Sequence, residues 1–104
     1  MLRLRVRLRP VEALSDLDPL AADILLREVE GVRDLKVWDE RVSDALYLTI
    51  FVFVDGLDAK LRSDLENCLV RLPRMTAFVV DGKGDETPVT SADIGDWESA
   101  TDPA

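Results

Sequence analysis

Aliphatic and arginine side chains alternate from Leu2 to Arg9, in the sequence LRLRVRLR. A period of two places the aliphatic side chains on one face of an extended strand and the arginines on the other face. The run ALYLTIFVFV, residues 45–54, is the strongest strand signal in the chain, and the Asp-Gly pair after it indicates a turn. The hydrophobic pattern therefore predicts two strands, the first of which is half-buried.

Two segments have the apolar spacing of helices. Asp18 followed by Pro19 is typical of a helix N-cap with proline at the first helical position, and Gly31 supplies the end of that helix. A second helix is predicted over residues 57–72, before Pro73. The residues predicted to lie on the apolar faces are Leu17, Leu20, Ala21, Ile24 and Leu25 in the first helix, and Leu57, Leu61, Leu65, Cys68, Leu69 and Leu72 in the second.

Two shorter strands complete the predicted order. They are VRDLKVWD, residues 32–39, and RMTAFVVD, residues 74–81. The order strand, helix, strand, strand, helix, strand over residues 1–81 resembles the ferredoxin-like βαββαβ sandwich, an α+β fold with two helices on one face of a four-stranded antiparallel sheet. The predicted core comprises Leu4, Val6, Ile24, Leu48, Ile50, Val52, Leu61, Leu65 and Val79.

Residues 82–104 are predicted to form a flexible acidic tail. This segment is rich in glycine, proline, serine, threonine and acidic residues and shows no apolar periodicity. Ile94 and Trp97 are the only side chains in it that we expect to anchor it to the domain of residues 1–81.

The helices of such a sandwich cover one face of the sheet, so the residues on the opposite face determine what the domain binds. If the aliphatic side chains of the first strand face the helices, its arginines lie between aromatic side chains of neighbouring strands. Arginine stacks on aromatic rings, and such side chains either cover one another or form an interface. The predicted binding surface consists of Arg3, Arg5, Arg7, Trp38, Tyr47, Phe51, Phe53, Arg74 and Phe78.

The formal net charge is -8, and this charge is unevenly distributed. Residues 1–9 carry four arginines and no acid, whereas residues 81–104 carry one lysine and seven acids. Phosphate binding requires clustered positive charge that nearby acids do not outweigh. The charge therefore disfavours nucleic acid as a partner.

No residue type points to catalysis or to a metal. The chain has no histidine, and its one cysteine, Cys68, falls on the apolar face of the second helix. We expect no enzyme activity, no metal site and no cofactor. Because the longest apolar run has ten residues, whereas a membrane-spanning helix needs about 20, we also expect no membrane insertion and a cytoplasmic location.

Two resemblances refine this picture. Residues 25–40, LLREVEGVRDLKVWDE, resemble the helix–strand joint of heavy-metal-associated domains and of the carboxy-terminal domains of cation diffusion facilitators, both ferredoxin-like. The Cys-x-x-Cys pair of the first family is absent from the loop PVEALSDLDP, and the histidines that the second family commonly uses are absent too. This resemblance implies a fold and a dimer without a metal site.

The topology and the outward Phe51 and Phe53 also resemble the RNA recognition motif. That family's third strand begins with a basic residue and glycine, and its first strand carries an outward aromatic. The corresponding stretches here are LYLTIFVF and LRLRVRL.

The sequence thus predicts a non-enzymatic protein-interaction or regulatory module with a protein partner. Self-association into a homodimer through the open sheet face is the first expectation, with the acidic tail of each copy neutralising the arginines of the other. Single-stranded nucleic-acid binding, and a regulatory domain related to metal-transport proteins without a retained metal site, are the alternatives.

Overall fold

A computed structural model describes residues 1–42 and 44–103. It contains six strands, three α-helices and one short 3-10 turn, Leu14–Asp16. The strands and helices are β1 (Leu2–Pro10), α1 (Pro19–Arg27), β2 (Val32–Val42), β3 (Ala45–Val54), α2 (Ala59–Val70), β4 (Met75–Val80), β5 (Glu86–Pro88), α3 (Ile94–Ser99) and β6 (Thr101–Pro103).

The strands form one open antiparallel sheet in the order β2–β3–β1–β4–β5. β4 pairs with residues 6–10 of β1, and β6 pairs with residues 2–4 of the same strand. β6 therefore occupies the length of β1 that β4 leaves free. The α+β class and the antiparallel sheet are confirmed, although the sheet has six strands instead of the expected four.

α1 begins after the cap that the sequence predicts, whereas α2 begins at Ala59, two residues later than predicted. The Asp18 carboxylate accepts a hydrogen bond from the Ala21 amide, and Asp58 does the same for Leu61 at the start of α2. Beyond α1, Gly31 adopts a positive φ of 102°, which a residue without a Cβ tolerates. The two caps fix the starts of the helices, and α1 ends at Arg27, four residues before the glycine that the sequence predicted as its end.

Eight of the nine predicted core residues are buried, and Ile24 is the exception. The side chain of Ile24 is 50% exposed, and Leu20, one turn earlier, is 68% exposed. Ala22 and Leu26 face the sheet instead, with no exposed area. Both pairs are separated by four residues, so helical spacing alone does not select which stripe of α1 is buried.

The segment predicted to be a flexible tail differs most from expectation. It pairs with the sheet through β5 and β6 and contains α3, whose capping box joins Asp93 and Asp96. Trp97 is completely buried in the same cluster as the core residues of α2, whereas Ile94 is 45% exposed. Residues 86–103 are therefore packed onto the fold, with Trp97 and not Ile94 as their anchor.

Candidate interaction surface on the open sheet face

The open face is the side of the sheet opposite the helices, and the pairing of β1 with β3 sets its centre. Arg3 lies beside Phe53, Arg5 lies beside Phe51, and Arg7 lies beside Thr49. Because these are directly opposed antiparallel pairs, their side chains project to the same side of the sheet. An arginine row and an aromatic row therefore run next to each other.

The flanking strands extend the open face on both sides. On β2, Lys36 lies beside Phe51 and Trp38 beside Thr49. On β4, Phe78 lies beside Arg7. Eight of the nine residues predicted for the binding surface thus lie together on the open face: Arg3, Arg5, Arg7, Trp38, Tyr47, Phe51, Phe53 and Phe78.

Arg74 is the predicted surface residue that lies elsewhere. It precedes β4 and has a φ of 62°, and its guanidinium lies 3.7 Å from a carboxylate oxygen of Asp16. This position is at the end of the sheet, next to the turn that follows β1. The period of two does not extend through a residue with positive φ, which explains the difference.

Cations stack on the aromatic rings of the open face. The guanidinium carbon of Arg3 lies 4.4 Å from the ring centre of Phe51, and that of Arg7 lies 4.2 Å from the ring centre of Tyr47. The amino group of Lys36 lies 5.9 Å from the ring centre of Phe53. These distances are those of cation–π contacts, which favour a stacked over a freely solvated arginine.

The aromatic side chains also contact one another. Trp38 packs edge-on against Phe51 with ring centres 4.8 Å apart, and Phe51 packs edge-on against Phe53 at 6.5 Å. All three are half-buried, as is Phe78. The open face is therefore a packed layer with partly accessible rings.

Carboxylates from residues 82–103 neutralise three of the four arginines. Glu86 accepts hydrogen bonds from Arg9 at 2.7 and 3.1 Å and also accepts one from Arg7. Asp102 lies 3.3 Å from the guanidinium of Arg3. The hydrogen bonds from Arg9 and Arg7 outweigh partial burial and hold the pKa of Glu86 below its usual value. The acids that were expected to reach a second copy thus pair within their own chain.

Glu40 forms a second polar centre on the open face. Its carboxylate accepts hydrogen bonds from the indole of Trp38 at 2.9 Å and from the hydroxyl of Tyr47 at 3.0 Å. Burial alone would raise the pKa of Glu40, but these hydrogen bonds lower it below its ordinary value. Burial and the bond to Glu40 together raise the pKa of Tyr47, so both groups keep their ordinary charge states near neutral pH.

Arg5 differs from the other arginines of β1. Within the described residues it makes no ion pair closer than 4.0 Å, and its Nε is buried without a hydrogen-bond acceptor. Its charge acts on Glu40 only at longer range. Among the described residues, Arg5 is therefore the arginine of the row without a carboxylate partner, although the Nε of Arg7 also lacks an acceptor.

Sequence reasoning missed five charged residues of the open face: Asp34, Lys36, Glu40, Glu86 and Asp102. Lys36 and Glu40 share the period of two with Trp38, so that signal was present in the sequence. Glu86 and Asp102 lie in segments of three residues each, which are too short to show a period.

Comparison with family models, with curated proteins and with solved structures finds no match to this chain. Over residues 1–42 and 44–103, no group of three or more acidic or cysteine side chains is arranged to hold a metal ion. In the same part of the chain, no helix combines the length and apolar character needed to cross a membrane.

Proposed function

We propose that this protein is a non-enzymatic interaction module that self-associates into a homodimer through its open face. We further propose that β1 to β4 with α1 and α2 correspond to a ferredoxin-like unit, to which β5, α3 and β6 are added. The observation that carries the functional proposal is the helix-free sheet face with four partly exposed aromatic side chains: Trp38, Phe51, Phe53 and Phe78.

The packing of this layer favours association. The edge-to-face contacts of Phe51 with Trp38 and Phe53 hold the rings in place before any partner arrives. Side chains that are already ordered lose little conformational freedom on binding, and aromatic and arginine side chains contribute most at interfaces. A flat, ordered, aromatic surface is therefore suited to packing against a copy of itself.

The charge of the open face opposes a second copy only weakly. The face carries five cations, Arg3, Arg5, Arg7, Arg9 and Lys36, against four carboxylates, Asp34, Glu40, Glu86 and Asp102, which is a net charge of +1. Since the whole chain carries -8, the remaining surface carries -9. Two copies that meet at their open faces therefore bring together surfaces of small like charge and keep their strongly acidic surfaces apart.

Nucleic acid fits the open face less well. Arg3, Arg7 and Arg9 already contact carboxylates, so a phosphate would have to displace Asp102 or Glu86. The acidic remainder of the chain would repel the rest of the strand. Arg5 makes no ion pair within the described residues, and we propose that its guanidinium binds a carboxylate supplied by the second copy.

The solution mass of the chain tests this proposal. We expect a dimer for the wild type in sedimentation velocity and a monomer for the double variant Phe51→Ser, Phe53→Ser. The matched control is Leu20→Ser, Ile24→Ser, which removes two exposed apolar side chains from α1 and should remain dimeric. Circular dichroism establishes that each variant is folded.

A second variant keeps the test informative if the double variant does not fold. Arg5→Gln removes the unpaired charge and leaves the aromatic rings in place, and we expect it to weaken the dimer by about tenfold. A monomeric wild type that binds single-stranded RNA with a steep salt dependence would contradict the proposal and favour nucleic-acid binding. Equal dimerisation of wild type and both variants would place the contact elsewhere.

A further inference from the structure

A shallow groove lies between the end of α1 and α2, on the opposite side of the molecule from the open face. Leu25 and Val29 from the α1 side and Val70 from α2 provide its apolar lining. The side chain of Val70 is 49% exposed, and those of Leu25 and Val29 are half-buried. The groove therefore presents aliphatic surface that the fold itself leaves uncovered.

The exposed stripe of α1 extends this apolar surface. Ile24 precedes Leu25 and lies one turn before Glu28, a residue that also lines the groove. Leu20 lies one further turn away, and both aliphatic side chains are at least half exposed. Large aliphatic residues at four-residue spacing on an outward helix face are typical of a contact surface, and none of the described residues buries these two.

Acidic side chains border the groove. Glu28, Glu30 and Asp64 line it against a single lining cation, Arg71. Within the described residues, Glu28 and Glu30 make no ion pair, whereas Asp64 contacts Lys60 at 3.0 Å. The lining residues thus carry a net charge of -2, or -1 when Lys60 beside Asp64 is included, and Glu28 and Glu30 make no ion pair within the described part of the chain.

We infer that this groove is a docking site for a basic segment of another protein, whose apolar side chains enter between α1 and α2. A second copy is disfavoured here, because its own helix side carries the same acids and would repel. The chain's own basic stretch is not available, because β1 is the central strand of the sheet. Apolar lining and negative rim together select an amphipathic segment rich in lysine or arginine.

A synthetic peptide tests this inference directly. The probe is a fluorescein-labelled helical peptide of 14 residues, built from leucine and lysine at helical spacing, and its binding to the full chain is measured by fluorescence anisotropy. We expect the double variant Glu28→Lys, Glu30→Lys to bind at least about fivefold more weakly. The matched control, Glu12→Lys, Glu98→Lys, makes the same charge change at exposed glutamates away from the groove and should stay within about twofold of the wild type.

The apolar part of the inference has its own pair of variants. Val70→Ser should weaken binding by about threefold, whereas Val11→Ser, at a valine that is 60% exposed and does not line the groove, should not change it. Equal losses of affinity in the two glutamate double variants would show that the peptide is attracted by the overall charge, and this would overturn the inference. Unchanged binding by Val70→Ser, or no binding by the wild type, would overturn it as well. The groove and the open face are separate surfaces, so Phe51→Ser, Phe53→Ser should retain the peptide whether or not the chain dimerises.

Discussion

β1 and residues 82–103 carry opposite charges, and they meet on the open face. β1 has four arginines and no acid, whereas residues 82–103 have one lysine and six acids. β1 is held along its length by β3 on one side and by β4 and β6 on the other. The C-terminal segment is held by two three-residue strands and a few buried side chains, of which Trp97 is the largest.

This difference shows two ways of fixing a segment in a fold. β1 is held in place by several core contacts, because every second side chain enters the core. No single one of these side chains determines the position of the strand. The C-terminal segment is fixed at a few points, namely Trp97, the pairing of its two strands and the ion pairs of Glu86 and Asp102. Such a segment should be sensitive to single substitutions at those points and tolerant elsewhere.

Removal of residues 85–104 is expected to have the largest effect. It deletes Glu86 and two strands, and it removes Val89, Ala92, Trp97 and Ala100 from the core. We expect a loss of at least about 5 kcal/mol, comparable with the whole stability of a small domain. Urea unfolding followed by circular dichroism measures it, and a truncated chain within about 1 kcal/mol of the full chain would restore the flexible-tail interpretation.

Trp97→Ala should account for a large part of that loss. The indole is completely buried, and its removal should cost about 3–5 kcal/mol. Ile94→Ala is the control from the same helix, because Ile94 is 45% exposed and should cost less than about 1 kcal/mol. Similar unfolding free energies for the two variants would show that Trp97 is not the anchor.

Glu86→Gln should have an intermediate effect and a distinct pH dependence. It leaves Arg7, which is 8% exposed, and Arg9 without their carboxylate, at a cost of about 1–3 kcal/mol near neutral pH. Because folding lowers the pKa of Glu86, its contribution is complete above the ordinary value of 4.5 and is lost as the pH falls through the lower folded value. The free energies of unfolding of wild type and variant should therefore converge in acid, and a constant difference would contradict the pairing.

Asp102→Asn is expected to have the smallest effect. The side chains of Arg3 and Asp102 are 36% and 49% exposed, and their contact at 3.3 Å is open to solvent. Such pairs contribute about 0–1 kcal/mol. A cost above about 2 kcal/mol would show that β6 depends on this ion pair and not on its strand pairing.

Most of the first 80 residues followed from local patterns. The alternation in β1, the apolar run of β3 and the cap at Asp18 act over neighbouring residues, so the sequence carries them directly. The buried face of α1 did not follow, because Leu20 and Ile24 are spaced like the Ala22 and Leu26 that the sheet covers. Only tertiary contact distinguishes these two stripes.

The arginine and aromatic residues of the open face were predictable for the same reason, since a strand's period assigns them to one side. The neutralisation of the arginines was not predictable from local patterns. Glu86 lies 79 residues from Arg7, and Asp102 lies 99 residues from Arg3. No local pattern specifies such pairs. The packing of residues 86–103 onto the sheet was not predicted, because their polar composition gives no sign of two short strands and of the buried Trp97.

The mobility of the backbone amides of residues 86–103 tests most directly whether the acidic segment is part of the fold. The measurement is ¹⁵N relaxation of the full chain in solution, with β4 as the internal reference. We expect order parameters near those of a rigid backbone, about 0.85, through β5, α3 and β6. Values below about 0.6 across these residues would contradict it, because a mobile segment cannot hold Glu86 and Asp102 against the arginines of β1.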